Sequence, residues 1–140
     1  MIRHVLVDTG PLIALIDRRE THHGWVQAQL ADISPPLYTC EAVLTEACYL
    51  ARRTNTGTQP VLELLERGVV VPAFTLHDNL SEVSSLIQRY AGVPMALADG
   101  CLVRMSELVA DCTILTLDSD FRIYRRRKRQ KIPLLMPPDV

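Results

Sequence analysis

Two aspartates in this sequence directly follow short apolar runs and precede turns, a placement that suits catalysis or metal binding. Asp8 comes after the run 5–7 and leads into a Thr-Gly-Pro turn, and Asp118 closely follows the run 113–116. In an open α/β sheet, ligands bind in the crevice at the carboxyl ends of the strands. A lone strand-end aspartate is equally well explained as a structural helix cap. The choice therefore depends on whether other acids reach the same crevice.

Two further acids lie on predicted helices where they can face that crevice. On a helical wheel, Asp99 borders the apolar stripe of its helix, whereas Arg104 and Glu107 fall on the opposite face, which we expect to be exposed to solvent. Glu46 flanks the apolar stripe of an earlier helix. Glu41 stands at the start of that earlier helix, where a negative charge is favourable against the helix dipole. We therefore assign Glu46 to the site and Glu41 to the dipole.

If these four carboxylates share one crevice, they repel one another and cannot all stay ionised unaided. A divalent cation removes this conflict, and oxygen-only ligands select a hard ion, Mg²⁺ or Mn²⁺. Such a site supports hydrolysis of a phosphodiester, because the metal lowers the pKa of a bound water and neutralises charge developing on the phosphoryl oxygens. No nucleophilic side chain is then required. The four histidines are scattered, and we give none of them a catalytic role.

Short β-rich runs alternate with helical segments along the chain, a pattern typical of parallel strands joined by right-handed helical crossovers. We predict an α/β fold, a three-layer α/β/α sandwich around a mostly parallel sheet of four to five strands. The predicted strands are 5–7, 37–39, 69–71, 113–116 and a late edge strand within 132–136. The predicted helices are 12–17, one capped by Thr21 and continuing to residue 30, 41–53, 60–68, 80–90 and 96–109. The apolar stripe of the last helix is Leu97, Ala98, Cys101, Leu102, Met105, Leu108 and Val109.

Length and composition are those of one ordinary globular domain, residues 1–140. The chain is 48% hydrophobic and 22% charged, which suits a packed core and argues against disorder. No apolar run approaches the ~20 residues that a membrane span needs, and Asp8 interrupts the only candidate for a signal-peptide core. The four cysteines form no CxxC pair and lie in apolar surroundings. We expect them to be reduced core thiols of a cytoplasmic protein rather than zinc ligands or disulfide partners.

The segments that carry the four acids resemble the PIN-domain ribonucleases, especially the VapC-type toxins of bacterial toxin–antitoxin modules. That family has an Asp in the first strand–turn, a Glu on the third helix, an Asp on a later helix and an Asp after the fourth strand. Here the matching segments are VDTGPLIAL with Asp8, AVLTEA with Glu46, LADGCL with Asp99 and TLDSDF with Asp118. The resemblance spans almost the whole chain in order. One departure is Gly100, where relatives often carry a larger residue such as Ala.

The resemblance implies a PIN-like fold and an Mg²⁺-dependent endoribonuclease with one or two ions, Mn²⁺ being an alternative. It implies that Thr9 and Thr116 are hydroxyl neighbours of the metal site, and that Asp120 is a candidate fifth acid. It also implies an RNA substrate, a homodimer and inhibition by a cognate antitoxin protein.

Basic residues are concentrated at the end of the chain. Residues 1–120 carry 8 Lys and Arg against 15 Asp and Glu, whereas residues 121–140 carry 7 against 1. Such a run is usually a solvated segment. Because this one follows the Asp118 turn, we expect it to contact the phosphate backbone of bound RNA, which supplies salt-dependent affinity without sequence information. The predicted RNA-binding residues are Arg125, Arg126, Arg127, Lys128 and Arg129.

Two other functions compete with metal-dependent RNA cleavage. A phosphotransfer receiver or phosphatase usually has a second acid two residues after its aspartyl nucleophile, together with a buried lysine. This chain has Gly10 at that position, and its only lysines, Lys128 and Lys131, lie in the basic run. A non-catalytic RNA- or protein-binding module would gain nothing from clustering four acids. Metal-dependent cleavage of RNA by the purified protein separates the three functions.

Overall fold

Five short strands form one parallel sheet at the centre of the protein. The computed structural model describes residues 4–140. The strands are β1 (His4–Val7), β2 (Leu37–Thr39), β3 (Val70–Pro72), β4 (Cys112–Leu115), β5 (Arg125–Arg126), β6 (Gln130–Lys131) and β7 (Leu134–Leu135). The sheet order is β3-β2-β1-β4-β7, and each neighbouring pair is parallel. The other two strands, β5 and β6, form a separate antiparallel hairpin.

Helices connect the strands and cover both faces of the sheet. The chain moves outwards from β1 to β3 and then crosses back to β4 on the other side of β1. Right-handed crossovers in opposite directions place their helices on opposite faces. The predicted α/β/α sandwich is therefore confirmed, with a sheet that is wholly parallel. The helices are α1 (Thr9–Ile16), α2 (His23–Asp32), α3 (Glu41–Ala51), α4 (Gln59–Glu66), α5 (Leu80–Arg89) and α6 (Leu97–Leu108).

The core is centred on the two middle strands, which are buried on both faces. Leu6 of β1 and Ile114 and Leu115 of β4 have no exposed surface. Their continuous apolar character, without polar alternation, is typical of parallel strands covered on both sides. Within residues 4–140, no helix has the length and apolar character needed to cross a bilayer.

Two helix starts and two positions predicted to be buried differ from those in the structure. α1 begins at Thr9 rather than at residue 12, because the side chain of Asp8 accepts the Thr9 N–H and starts the helix directly after β1. Thr21 does not cap α2, which begins at His23. Leu97 and Leu108 were wrongly included in the buried stripe of α6. They are the first and last residues of that helix and are 46% and 53% exposed.

Gly100 lies where α5 and α6 approach each other closely. A Cβ at this position would lie 3.3 Å from side-chain atoms of Val83 and Ile87 and 3.4 Å from Met95 Sδ. These contacts are tighter than ordinary van der Waals contacts, so the departure at Gly100 has a structural reason. The missing side chain lets α5 pack closely on the helix that carries Asp99.

We predict that Gly100→Val destabilises the fold by about 1–3 kcal/mol, because the added methyl groups overpack the α5–α6 contact. Gly24→Val is the matched control, since no neighbouring atom of residues 4–140 lies within 4 Å of a Cβ built at Gly24. Urea unfolding of both variants measures the difference. Equal stability of the two variants would contradict close packing at Gly100.

Candidate active site

Asp8 stands where β1 ends and α1 begins, beside the end of β4. Val7 pairs with Leu115 in the β1–β4 register, and the Asp8 N–H donates to the Leu115 carbonyl at 3.0 Å. The carboxylate is held at both oxygens: Oδ1 accepts the Thr9 N–H at 2.7 Å, and Oδ2 accepts the Thr116 hydroxyl at 2.7 Å. The residue is 7% exposed. Asp8 therefore caps α1 and also lies at the crevice, so the two roles are compatible.

Thr116 connects Asp8 to Asp118. Its hydroxyl oxygen donates to Asp8 Oδ2 and accepts the Asp118 N–H at 3.0 Å. Asp118 Oδ1 in turn accepts the Asp120 N–H at 2.9 Å, which starts the 3₁₀ turn Ser119–Arg122. Thr9 is also buried beside Asp8, and its hydroxyl has no hydrogen-bond partner within residues 4–140. Both threonines thus lie beside the acids, as the resemblance implies.

Asp99 reaches the crevice from the first turn of α6. Its Oδ2 accepts the Ala96 N–H at 3.0 Å, which satisfies a backbone donor of the helix start. The same oxygen lies 3.5 Å from the hydroxyl of Tyr124. Glu46 approaches from α3, and its side chain has no hydrogen bond to the described residues. Asp8, Glu46, Asp99 and Asp118 line one cavity of about 240 Å³, and Glu41 does not.

The electrostatics of this cavity disfavour four ionised carboxylates. No Lys, Arg or His among residues 4–140 lines it. Burial raises the pKa of Asp8, and hydrogen bonds from Thr116 and Thr9 oppose that rise only in part. Burial, with the charges of Asp8 and Asp118, raises the pKa of Asp99 to about 6. Partial burial, with Asp99 and Asp118 nearby, also raises the pKa of Glu46, although its side chain is more exposed.

The chemistry of these donors fits a hard divalent cation, but the four side chains share a cavity without converging on one point. Within the described residues, no three His, Cys, Asp or Glu side chains lie close enough together to hold one ion. Like-charge repulsion favours separation, and Asp8, Asp99 and Asp118 are held by their own hydrogen bonds. The unpartnered Thr9 hydroxyl adds one more oxygen. Convergence on one ion therefore requires movement of side chains, for which Glu46 is the least restrained.

Asp120 does not line this cavity. Its backbone N–H holds the Asp118 carboxylate, and its carbonyl accepts the Ile123 N–H at 2.9 Å. Asp120 therefore acts on the site through its backbone N–H, which positions the Asp118 carboxylate.

The basic run does not continue into the acidic cavity. Arg126 is 8% exposed, and its guanidinium lies 3.8 Å from the sulfur of Cys112, the first residue of β4. Cys112 lies at the amino end of β4, whereas Asp118 follows its carboxyl end, so this contact is at the opposite end of the strand from the acidic cavity. The Arg125 guanidinium donates to three carbonyls, including that of Arg122 at 2.6 Å. Arg126 was therefore wrongly included among the RNA-binding residues, because its side chain is not available to a phosphate.

The sequence did not predict the roles of two residues, Tyr124 beside the acidic cavity and Glu107 further along α6. Tyr124 is fully buried, and its ring packs edge-on against Phe121 and Tyr90 beneath the Asp118 turn. Burial raises its pKa, so the hydroxyl stays protonated and donates towards Asp99. Glu107 was expected on the solvent side. Instead it accepts the Arg127 N–H at 2.6 Å. No local pattern marks either residue, since both contacts join segments distant in sequence.

The family model described as PIN domain matches residues 5–127, which is most of the chain. The chain belongs to the PIN domain family. Among solved structures, the fold is similar to that of VapC20 from Mycobacterium tuberculosis, described as a toxin that cleaves the sarcin–ricin loop. The TM-score is 0.69 at 19% identity, over 83% of this chain and 91% of VapC20. No curated protein matches this sequence.

The acidic cavity of this PIN domain predicts a pH dependence of stability. The pKa of Asp99, about 6, lies above its ordinary value near 3.8. The folded state therefore binds more protons than the unfolded state, and stability falls as pH rises from about 4 to 6. Asn at position 99 avoids this loss, so Asp99→Asn should raise the melting temperature by on the order of 5 °C above pH 6.

Thermal melts in EDTA across this pH range measure the effect, with the exposed Asp32→Asn as control. The advantage of Asp99→Asn should vanish below pH 4. An advantage that is constant with pH would show that packing, rather than charge, causes it.

The guanidinium of Arg126 is buried without a full set of hydrogen bonds to the described residues. Its Nε has no hydrogen-bond partner within residues 4–140, so a buried charged group is incompletely satisfied. Methionine keeps the long side chain without the charge. Arg126→Met should leave the melting temperature unchanged or higher and should not weaken RNA binding. A large drop in melting temperature would show instead that the guanidinium is stabilising.

Proposed function

We propose that this PIN domain is an Mg²⁺-dependent endoribonuclease that cleaves RNA phosphodiester bonds, with one or two ions and with Mn²⁺ as an alternative. The observation that carries the proposal is the cavity lined by Asp8, Glu46, Asp99 and Asp118, to which residues 4–140 contribute no cationic side chain. A cluster of carboxylates without a protein counter-charge is the donor set that a hard cation prefers.

In this proposal Asp8, Asp99, Asp118 and Glu46 hold the cation. When bound, it supplies a nucleophilic water at neutral pH and offsets charge that develops on the phosphoryl oxygens. Thr116 orients Asp8 through its hydroxyl and Asp118 through the backbone N–H, so one side chain sets the position of two acids. The Glu46 side chain has no hydrogen bond to the described residues, so it is the acid that can turn most readily towards the cation.

We also propose that the protein is the toxin of a type II toxin–antitoxin module, acting in the cytoplasm as a homodimer and inhibited by a cognate antitoxin. The fold that it shares with VapC20 supports this proposal. Growth arrest on induction, relieved by co-expression of the adjacent gene product, would test the toxin role directly.

A non-catalytic RNA- or protein-binding PIN module is the second candidate. The observation in its favour is that no three candidate ligands within residues 4–140 are already close enough to hold an ion. The two candidates differ in whether purified protein cleaves RNA when Mg²⁺ is added.

We predict that Asp8→Asn lowers RNA cleavage by about 100-fold or more, since removing partners of metal ligands already costs 10–100-fold. Asparagine can still accept the Thr9 N–H, so the cap and the fold should persist. Asp99→Asn should behave similarly. Asp120→Asn is the control, because Asp120 does not line the cavity and should retain most activity.

The measurement is cleavage of labelled RNA with Mg²⁺, alongside thermal melting and antitoxin binding. Wild-type cleavage rates in Asp8→Asn would refute the metal mechanism. Loss of folding in Asp8→Asn would instead assign Asp8 to a structural role as the cap of α1.

A further inference from the structure

A second cavity, of about 450 Å³, lies between α5, the carboxyl half of α6 and the tip of the β5–β6 hairpin. We call it the basic cleft. Among residues 4–140, it shares no lining residue with the acidic cavity. Its charged lining residues are Glu82, Arg89, Arg104, Glu107, Arg127 and Lys128.

The two carboxylates of the basic cleft already have partners inside it. The Glu107 carboxylate accepts a hydrogen bond from the Arg104 guanidinium at 3.4 Å, and the Glu82 carboxylate lies 3.9 Å from the same guanidinium. Arg104 also donates to Asn79 Oδ1 at 2.9 Å. These contacts hold Arg104 in place. Among residues 4–140, four cations against two carboxylates leave the basic cleft with a net charge of +2, and three of the cations lie outside the Arg104 ion pairs.

These three cations are Arg89, Arg127 and Lys128, and all are exposed. Arg89 and Lys128 make no side-chain hydrogen bond or ion pair with residues 4–140. Arg127 is tied to α6, because its N–H and its guanidinium donate to the side chain and the carbonyl of Glu107 at 2.6 and 3.1 Å. The hairpin tip is therefore fixed over the cleft.

The backbone at this tip is in an unusual conformation. Arg127 and Lys128 have φ values of 49° and 70°, in the left-handed region that residues with side chains rarely adopt. Glycine or asparagine is the common choice at such positions. Here two cations occupy them, and this conformation helps to direct their side chains towards the cleft that they line.

We infer that the basic cleft binds the sugar–phosphate backbone of the RNA strand whose scissile phosphate enters the acidic cavity. This inference rests on the proposed function. Asp99 and Glu107 are eight residues apart on α6, which separates the two sites by about 12 Å along the helix axis, a distance that lies within the length of a strand of a few nucleotides. Arginine and lysine are the usual phosphate ligands. Residues 4–140 place no aromatic side chain in the cleft lining on which a base could stack, so we expect contacts without sequence preference.

The test compares Arg89→Gln/Lys128→Gln with Arg18→Gln/Arg67→Gln. Both pairs remove two exposed cations, and the second pair lies outside the cleft. Binding of a fluorescein-labelled single-stranded RNA is measured in EDTA, between about 50 and 200 mM salt. We expect weaker binding by the cleft variant, with a salt slope reduced by about 1.4, or about 0.7 for each phosphate that is no longer neutralised. The control should keep the wild-type slope.

Equal weakening of RNA binding in both variants would overturn the inference, because net charge alone would then explain the affinity. Unchanged RNA binding in the cleft variant would also overturn it. If that variant bound polyglutamate more weakly instead, the cleft would be assigned to an acidic protein segment.

A kinetic experiment separates this inference from the proposed function. The cleft variant should lower kcat/KM for a longer RNA by a larger factor than kcat/KM for a dinucleotide, since a dinucleotide cannot span both cavities; an equal loss for the two substrates would overturn the inference. Absence of cleavage by the wild-type protein would refute the nuclease proposal. The binding experiment in EDTA would still decide whether the cleft holds RNA.

Discussion

The hydrogen bond between the Thr116 hydroxyl and Asp8 Oδ2 is the contact on which the arrangement of the site depends. It joins the ends of the two central strands, and the same hydroxyl receives the Asp118 N–H. Parallel pairing of β1 and β4 places Val7 opposite Leu115, so the next residues of both strands meet at the crevice. Because this hydroxyl can both donate and accept, a single buried side chain positions two acidic residues despite the repulsion between their carboxylates.

Mutual repulsion among the acids has a cost for the fold that a bound cation would offset. Asp8, Glu46 and Asp99 all have raised pKa values, with burial as the largest cause. A protein selected only for stability would replace one of them with a neutral residue. The cation that we propose would offset this cost, and Asp8, Asp99 and Asp118 also accept backbone N–H groups of the segments that follow or contain them.

The segment after Asp118 runs from the acidic cavity, at the carboxyl end of β4, back to the amino end of that strand. Phe121 and Tyr124 are fully buried, and they anchor this segment beneath the site. The hairpin that follows then crosses to the amino end of β4, where Arg126 meets Cys112. One continuous stretch of chain thus supplies an acid, a buried aromatic support and a basic tip. The acidic and basic surfaces stay separate while both remain in contact with α6.

The sequence by itself determined the fold class and the identity of the four acids, because both follow from local patterns. Apolar runs ending in Asp8 and Asp118 predict strand ends, and the position of Glu46 beside a buried stripe distinguishes it from Glu41. The tertiary structure alone decided which side chains of the basic run are available to a ligand. Consecutive arginines are chemically alike, but Arg125 binds nearby carbonyls, Arg126 is buried, and Arg127 is fixed to Glu107 by contacts across distant segments. Such contacts depend on how the hairpin packs on α6, which no spacing along the chain encodes.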